Sequence, residues 1–137
     1  MIALDSSAII ALVLPWHKHH VETLKHVSPI SDLGVPFHAY VETFSVLTRL
    51  DKGNAISPED ASSALESMFP SGPFILNAKD HRSFLRYFKS RLVGGATYDA
   101  LNLFTAKCHN ATVMTLDRRS LRTASVVNAH VICILDI

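Results

Sequence analysis

A chain of 137 residues that is 48% hydrophobic and 18% charged has the composition of one globular domain with a buried core, over residues 1–137. Disorder is excluded by the apolar content. A formal net charge of +1 gives no support to a dedicated DNA-binding protein, which carries a large basic excess. Any affinity for phosphate must come from a local patch or from cations held by acidic side chains. No apolar run approaches the roughly 20 residues that span a bilayer, and Met1-Ile2-Ala3-Leu4-Asp5 lacks the basic start of a signal peptide. A cytoplasmic protein is expected, with Cys108 and Cys133 as reduced thiols filling the core.

In chain order, residues 2–5 read as a strand and Ser6 to Leu14 as a short helix ended by Pro15. His17 to about Val27 is a more polar helix. Pro29, Gly34 and Pro36 break the next passage, leaving a brief strand near Val35-Pro36-Phe37. A strong helix follows from His38 to Lys52. Ser57-Pro58-Glu59-Asp60 has the order of a helix start, with a cap, a proline and then acids, and this helix runs to about Met68. Phe74-Ile75-Leu76 reads as a brief strand, Lys79 to Leu92 as a helix, and Thr97 to about His109 as an apolar helix behind the Gly94-Gly95 turn. Thr112 to Leu116 is a β-branched strand, Arg118 to Ala124 a short basic helix, and Val131 to Leu135 a last apolar strand. Strands separated by helices predict a mainly parallel sheet covered on both faces.

Four acids stand out. Asp5 and Asp117 each follow an apolar strand, at the end of an open α/β sheet where ligands bind. Their ordinary role is helix capping. Glu42 lies at the border of an apolar helix face, where pairing with Arg49 or exposure to solvent is its ordinary role. Asp99 sits on a helix that is apolar on most sides, and a buried carboxylate without a partner is costly. Converging carboxylates repel, and at least one takes up a proton unless cations neutralise them. An all-oxygen cluster suits Mg²⁺ or Mn²⁺. Such ions orient a phosphodiester, stabilise its developing charge and activate an attacking water. The chemistry implied is metal-dependent phosphodiester hydrolysis.

The same residues carry a family likeness. Ile2-Ala3-Leu4-Asp5-Ser6-Ser7, Ala39-Tyr40-Val41-Glu42-Thr43-Phe44-Ser45-Val46-Leu47, Tyr98-Asp99-Ala100 and Val113-Met114-Thr115-Leu116-Asp117 together resemble the PIN-domain endoribonucleases, and among them the VapC-type toxins of bacterial toxin–antitoxin systems. Each motif is short, but the four stand in the family's order across essentially the whole chain. The resemblance implies a PIN-like three-layer α/β/α sandwich with a mostly parallel central sheet. It implies an acidic pocket of Asp5, Glu42, Asp99 and Asp117 that holds Mg²⁺ (or Mn²⁺). An RNA substrate, a homodimer and a cognate antitoxin protein that blocks the pocket are also implied. Ser6 matches a common Ser/Thr that positions a metal-bound water. The chain departs from the family after Asp117, where Arg118-Arg119-Ser120 replace a further acid and a Phe, and the arginines can instead reach substrate phosphate.

Other features have ordinary explanations. Arg82, Arg86 and Lys89 share a helix face that can follow an RNA backbone, although amphipathic helices expose charge in any case. Arg118, Arg119 and Arg122 are better substrate candidates because they follow a proposed ligand. His17, His19 and His20 have few nearby acids and read as a solvated face. The leading expectation is a metal-dependent endoribonuclease, the toxin of a type II toxin–antitoxin pair. The alternative is a PIN-fold module that grips RNA or protein without cutting it. A phosphotransferase using Asp5 as nucleophile lacks the second aspartate such enzymes place two residues on.

Overall fold

A computed structural model describes all 137 residues. Its centre is a four-stranded, fully parallel sheet of β1 (Ile2–Leu4), β2 (Leu33–Gly34), β3 (Thr112–Thr115) and β4 (Val131–Cys133), in the order β2-β1-β3-β4. The strand pattern explains the layering, because successive side chains point to opposite faces. Ala3 and Val113 face one core, with Phe84, Phe88, Leu103, Phe104, Ala124 and Val127. Leu4 and Met114 face the other, with Ile9, Val27, Ala39, Leu65 and Phe69. The first core is covered by α5 (Ala78–Phe88), α6 (Ala96–Cys108) and α7 (Arg119–Val127). The second is covered by α1 (Ser6–Val13), α2 (His20–Val27), α3 (Phe37–Thr48) and α4 (Pro58–Met68). This is the expected three-layer α/β/α sandwich.

The chain leaves β1 for β2 on one side and later returns to place β3 on the other. The order therefore reverses around β1, which opens a crevice beyond the carboxyl ends of β1 and β3. Asp5 continues the ladder there, its N–H donating to the Met114 carbonyl at 3.2 Å.

Local signals placed most elements, with instructive exceptions. The strand expected near Val35-Pro36-Phe37 ends earlier, at Gly34, and Pro36 instead caps α3 with φ −64° and ψ 143°. A proline has no N–H for a ladder. Pairing with the Phe74 segment is accordingly reduced to one parallel bridge, with Phe74 N–H on Val35 and Phe37 N–H on the Phe74 carbonyl. The strand expected at Phe74-Ile75-Leu76 shrinks to that bridge because Asn77 at once caps α5, accepting from Asp80 N–H at 2.8 Å. Ser57 caps α4 as its sequence predicts, accepting from Asp60 N–H. The last apolar run stops as a strand at Cys133 and turns into a 3₁₀ segment, Ile134–Asp136. Of the two thiols, only Cys133 fills the core. Cys108 lies exposed at the end of α6.

Gly34 lies beneath the ring of Phe74, and a β-carbon there would overlap that ring. Phe74 is in turn stacked on His109, with ring centroids 4.5 Å apart, so the ring has little freedom to yield. Gly34→Ala is expected to destabilise the fold by about 1–3 kcal/mol through overpacking. Urea unfolding reads this as a lower midpoint, and Phe74→Leu in the same chain should recover part of it.

Candidate active site

Asp5 is the N-cap of α1, accepting from Ala8 N–H at 3.0 Å and from the Ser7 hydroxyl at 2.6 Å. Ser7 also accepts from Leu116 N–H at 2.9 Å, and Thr115 Oγ1 accepts from Asp117 N–H at 2.9 Å. These two hydroxyls lie 3.4 Å apart. They tie the ends of β1 and β3 together and fix the Asp5 carboxylate in one orientation. The capping role and a place at the crevice therefore coexist in one side chain. Asp5 as a residue keeps some surface, while its carboxylate is enclosed by protein.

The other three acids come from α3, α6 and the β3–α7 turn. Glu42 is not paired with Arg49. It accepts from the Ser6 hydroxyl at 3.0 Å, and His38, one turn back on α3, stands 3.9 Å away. Asp117 accepts the Arg119 backbone N–H at 2.9 Å and is gripped by the Arg119 guanidinium through Nε and Nη2, the shortest contact being 2.7 Å. Arg118 does not face the crevice side chains, because Asp136 holds it at 2.8 Å. Asp99 sits half-buried in the first turn of α6 and accepts no hydrogen bond.

Glu42, Asp99 and Arg119 line one cavity of about 590 Å³ together with His38, Tyr98 and Arg122, whereas Asp117 and Arg118 do not line it. A smaller recess continues inward between Asp5, Asp99, Asn102 and Ser120. Asp99 belongs to both and connects them. Arg122 joins none of the ion pairs, so its cation is free to face a ligand.

The electrostatics follow from this crowding. Burial pushes the Asp5 carboxyl above the ordinary carboxylate range, against the bonds from Ser7, Thr115 and Ala8, and the charge of Asp99 adds to the rise. Burial also raises Asp99, reinforced by Asp117 and Glu42 and opposed by Arg119 and His38. Asp117 moves the other way because Arg119 donates to it. Each carboxylate makes its neighbour harder to ionise.

A hard divalent cation fits the inner recess on its donor chemistry. Asp5 and Asp99 supply carboxylate oxygens, and the Asn102 amide oxygen is buried there without a hydrogen-bond partner. Magnesium needs only one or two carboxylates, since it retains several waters. The recess, of about 10 Å³, has room for about one water-sized group, so those waters would have to stand outside it, on the side of Asp99. No three acidic, His or Cys side chains form a ready cage. Glu42 and Asp117 are occupied by Ser6 and Arg119, which assigns them to the rim.

The sequence singles out the four acids, Ser6 and the arginines as site residues; it gives no such role to Asn102 or His38, and Ser7, Tyr98 and Thr115 occur there only as members of the family-like motifs. Helical spacing carries a signal for two of these. Asn102 is three residues after Asp99, and His38 four before Glu42, the separations that share a helix face.

The profile of the PIN domain matches residues 2–126. The chain is 36% identical over 124 residues to "Ribonuclease VapC40" of Mycobacterium tuberculosis, covering 90% of this chain and 91% of that protein. It is 31% identical over 132 residues to "Ribonuclease VapC27" of the same organism, covering 96% and 95%. Among solved structures, FitAcB from Neisseria gonorrhoeae superposes with a TM-score of 0.72 at 20% identity over 100% of both chains. FitAB bound to an IR36 DNA fragment gives 0.70 at 21% identity over 96% and 94%; at such identities the likeness is one of fold. With the profile spanning nearly the whole chain and relatives above 30% identity matched almost end to end, the protein belongs to the PIN-domain family.

Proposed function

We propose that this chain, acting as one domain, is a metal-dependent endoribonuclease and the toxin of a type II toxin–antitoxin pair. The observation that carries the reading is that Asp99 lines both the recess holding the Asp5 carboxylate and the larger cavity lined by Glu42, Arg119 and Arg122. Relatives named as ribonucleases and matched almost end to end support it. Asp5, Asp99 and the Asn102 amide oxygen would hold Mg²⁺ or Mn²⁺, with Glu42 and Asp117 reaching it through water. When bound, the ion lowers the pKa of an attacking water and stabilises charge developing on the phosphate. Ser7 and Thr115 keep Asp5 aimed inward, Ser6 orients Glu42, and Arg122 offers a cation to a phosphate oxygen. In the cell this reading places a homodimer in the cytoplasm beside an antitoxin that covers the cavity.

One observation favours the alternative, a module that holds RNA without cutting it. Arg119 neutralises Asp117 from within the same chain. On the ribonuclease reading, Arg119 competes with the cation for that carboxylate. Arg119→Ala should therefore tighten Mn²⁺ binding measured by calorimetry. Weaker binding would mean that the arginine organises the site rather than occupying it, and an absence of metal binding in either protein would favour the non-cutting module.

The central test is cleavage of single-stranded RNA by purified protein in Mg²⁺ or Mn²⁺. Asp5→Asn and Asp99→Asn are each expected to slow it on the order of 10²-fold or more, the scale seen when a charge-stabilising group is removed from an active site. Chelation should stop it. Full activity in both variants would refute the assignment.

Stability gives an independent readout. A carboxyl whose folded pKa lies above its unfolded value binds its proton more tightly in the folded protein. Its contribution to stability therefore falls as pH rises from about 3.8 through the raised folded value. In metal-free protein, Asp5→Asn should melt higher than wild type at pH 7, and the gain should shrink as pH approaches 4. Added Mn²⁺ should raise the melting temperature of wild type but not of the variant. A variant that melts lower at pH 7 than at pH 4, relative to wild type, would contradict the burial argument.

A further inference from the structure

We propose that Tyr98, braced by His38, is a stacking platform for one unpaired base of the RNA, beside the phosphate at the carboxylates; this rests on the ribonuclease reading. The two rings lie parallel, with centroids 4.9 Å apart and planes 6° from one another. One face of Tyr98 is therefore taken by the imidazole, while the residue as a whole remains 57% exposed. Neither ring belongs to a core cluster, so the fold does not require an aromatic pair here. Each residue comes from a different helix and stands next to an acid of the site: His38 on α3 one turn from Glu42, and Tyr98 on α6 directly before Asp99. Both line the cavity of about 590 Å³, together with Arg122.

This arrangement has the parts that single-stranded nucleic acid needs. A base offers a flat π face whatever its identity, and an exposed aromatic ring takes it with little sequence preference. Arg122 faces the same space with an unpaired cation for the backbone. Bases inside a duplex are stacked on both sides and have no face to give, so the platform selects unpaired RNA. His38 acts as a positioning residue, because its ring holds the Tyr98 ring at a fixed tilt and donates no contact of its own to the base. The same cavity thus binds a phosphate at its acidic floor and a neighbouring base at its lip.

The probe is a fluorescein-labelled, unstructured RNA oligonucleotide, with binding followed by anisotropy in Ca²⁺, a hard oxygen-seeking cation that covers the carboxylates, over a time in which a gel shows the RNA uncut. Tyr98→Ala is expected to weaken binding roughly 5- to 100-fold, the cost of losing one base–aromatic stack. Tyr98→Phe should keep wild-type affinity, and His38→Ala should fall between. A second series leaves the protein untouched and removes single bases from the RNA as abasic sites. One position should cost as much as Tyr98→Ala does, and that abasic RNA should show no further loss with the variant. Equal affinity of wild type and Tyr98→Ala, an additive abasic series, or no RNA binding at all would overturn the platform. Carboxylate-dependent cleavage that persisted in those cases would leave the ribonuclease reading standing. Cleavage insensitive to Asp5→Asn and Asp99→Asn would instead remove that reading, whatever the aromatic variants do.

Discussion

An enclosed carboxylate at the end of the central strand is the constraint around which the rest of the molecule is arranged. Asp5 is held by Ser7, itself beside the Thr115 hydroxyl, and by the first turn of α1, yet burial still drives its carboxyl toward the neutral form. The bonds are thus enough to aim the group and not enough to stabilise its charge. Ordinary capping would leave this acid on the surface, where it is worth about 1 kcal/mol. Here the cap is sunk into a recess with Asp99 and the partnerless Asn102 oxygen, which makes sense if a cation completes the set.

The remaining acids divide according to what relieves them. Glu42 has a hydroxyl and lies near an imidazole, and Asp117 has a full guanidinium. Asp99 has no hydrogen bond and faces the charges of Asp5, Asp117 and Glu42. It is the group with most to gain from a divalent ion, and its place between the recess and the open cavity puts it where an ion and a phosphate would meet. The Arg119–Asp117 clasp lowers the negative charge at the rim without reaching the recess. Its two partners are separated by a single residue, so local chain geometry suffices to form it.

How much of this was legible in the sequence follows the same division between local and distant contacts. The layered fold, the Ser57 cap and the positions of Asp5 and Asp117 just beyond β1 and β3 depend on neighbours within a few residues, and the structure has them, although two of the expected strands shrink to a single bridge. Choices among distant partners were not readable. Arg49 lies seven residues beyond Glu42, nearly two helical turns and about 10 Å along the axis, whereas packing of α1 on α3 brings Ser6 within hydrogen-bond reach. Arg118 looked available to substrate until the chain's last turn supplied Asp136, eighteen residues on. The Phe74 segment reads as a strand because Phe74-Ile75-Leu76 is a short apolar run, and the proline across from it and the Asn77 cap just after it limit the pairing to one bridge. Cys108 looked like core because α6 is apolar, but it falls in the last turn, where the helix emerges into solvent.

The near-neutral charge of the whole chain decides what kind of recognition the cavity can perform. Proteins that draw their affinity from phosphate neutralisation release counterions in proportion to the charges they engage, and a net charge of +1 provides little long-range attraction. The acidic floor repels phosphate until cations cover it, and Arg119 is already committed to Asp117. What remains at the mouth is one free guanidinium, from Arg122, and a stacked aromatic pair, both of which act only at contact. Specificity in such a site comes from whether a base is free to leave its own stack, a property of RNA structure more than of RNA sequence. On the proposed reading, acids that would hold a cation call for a short-range, charge-independent grip beside them, and the first turn of α6 carries a candidate for each in adjacent residues, Tyr98 and Asp99.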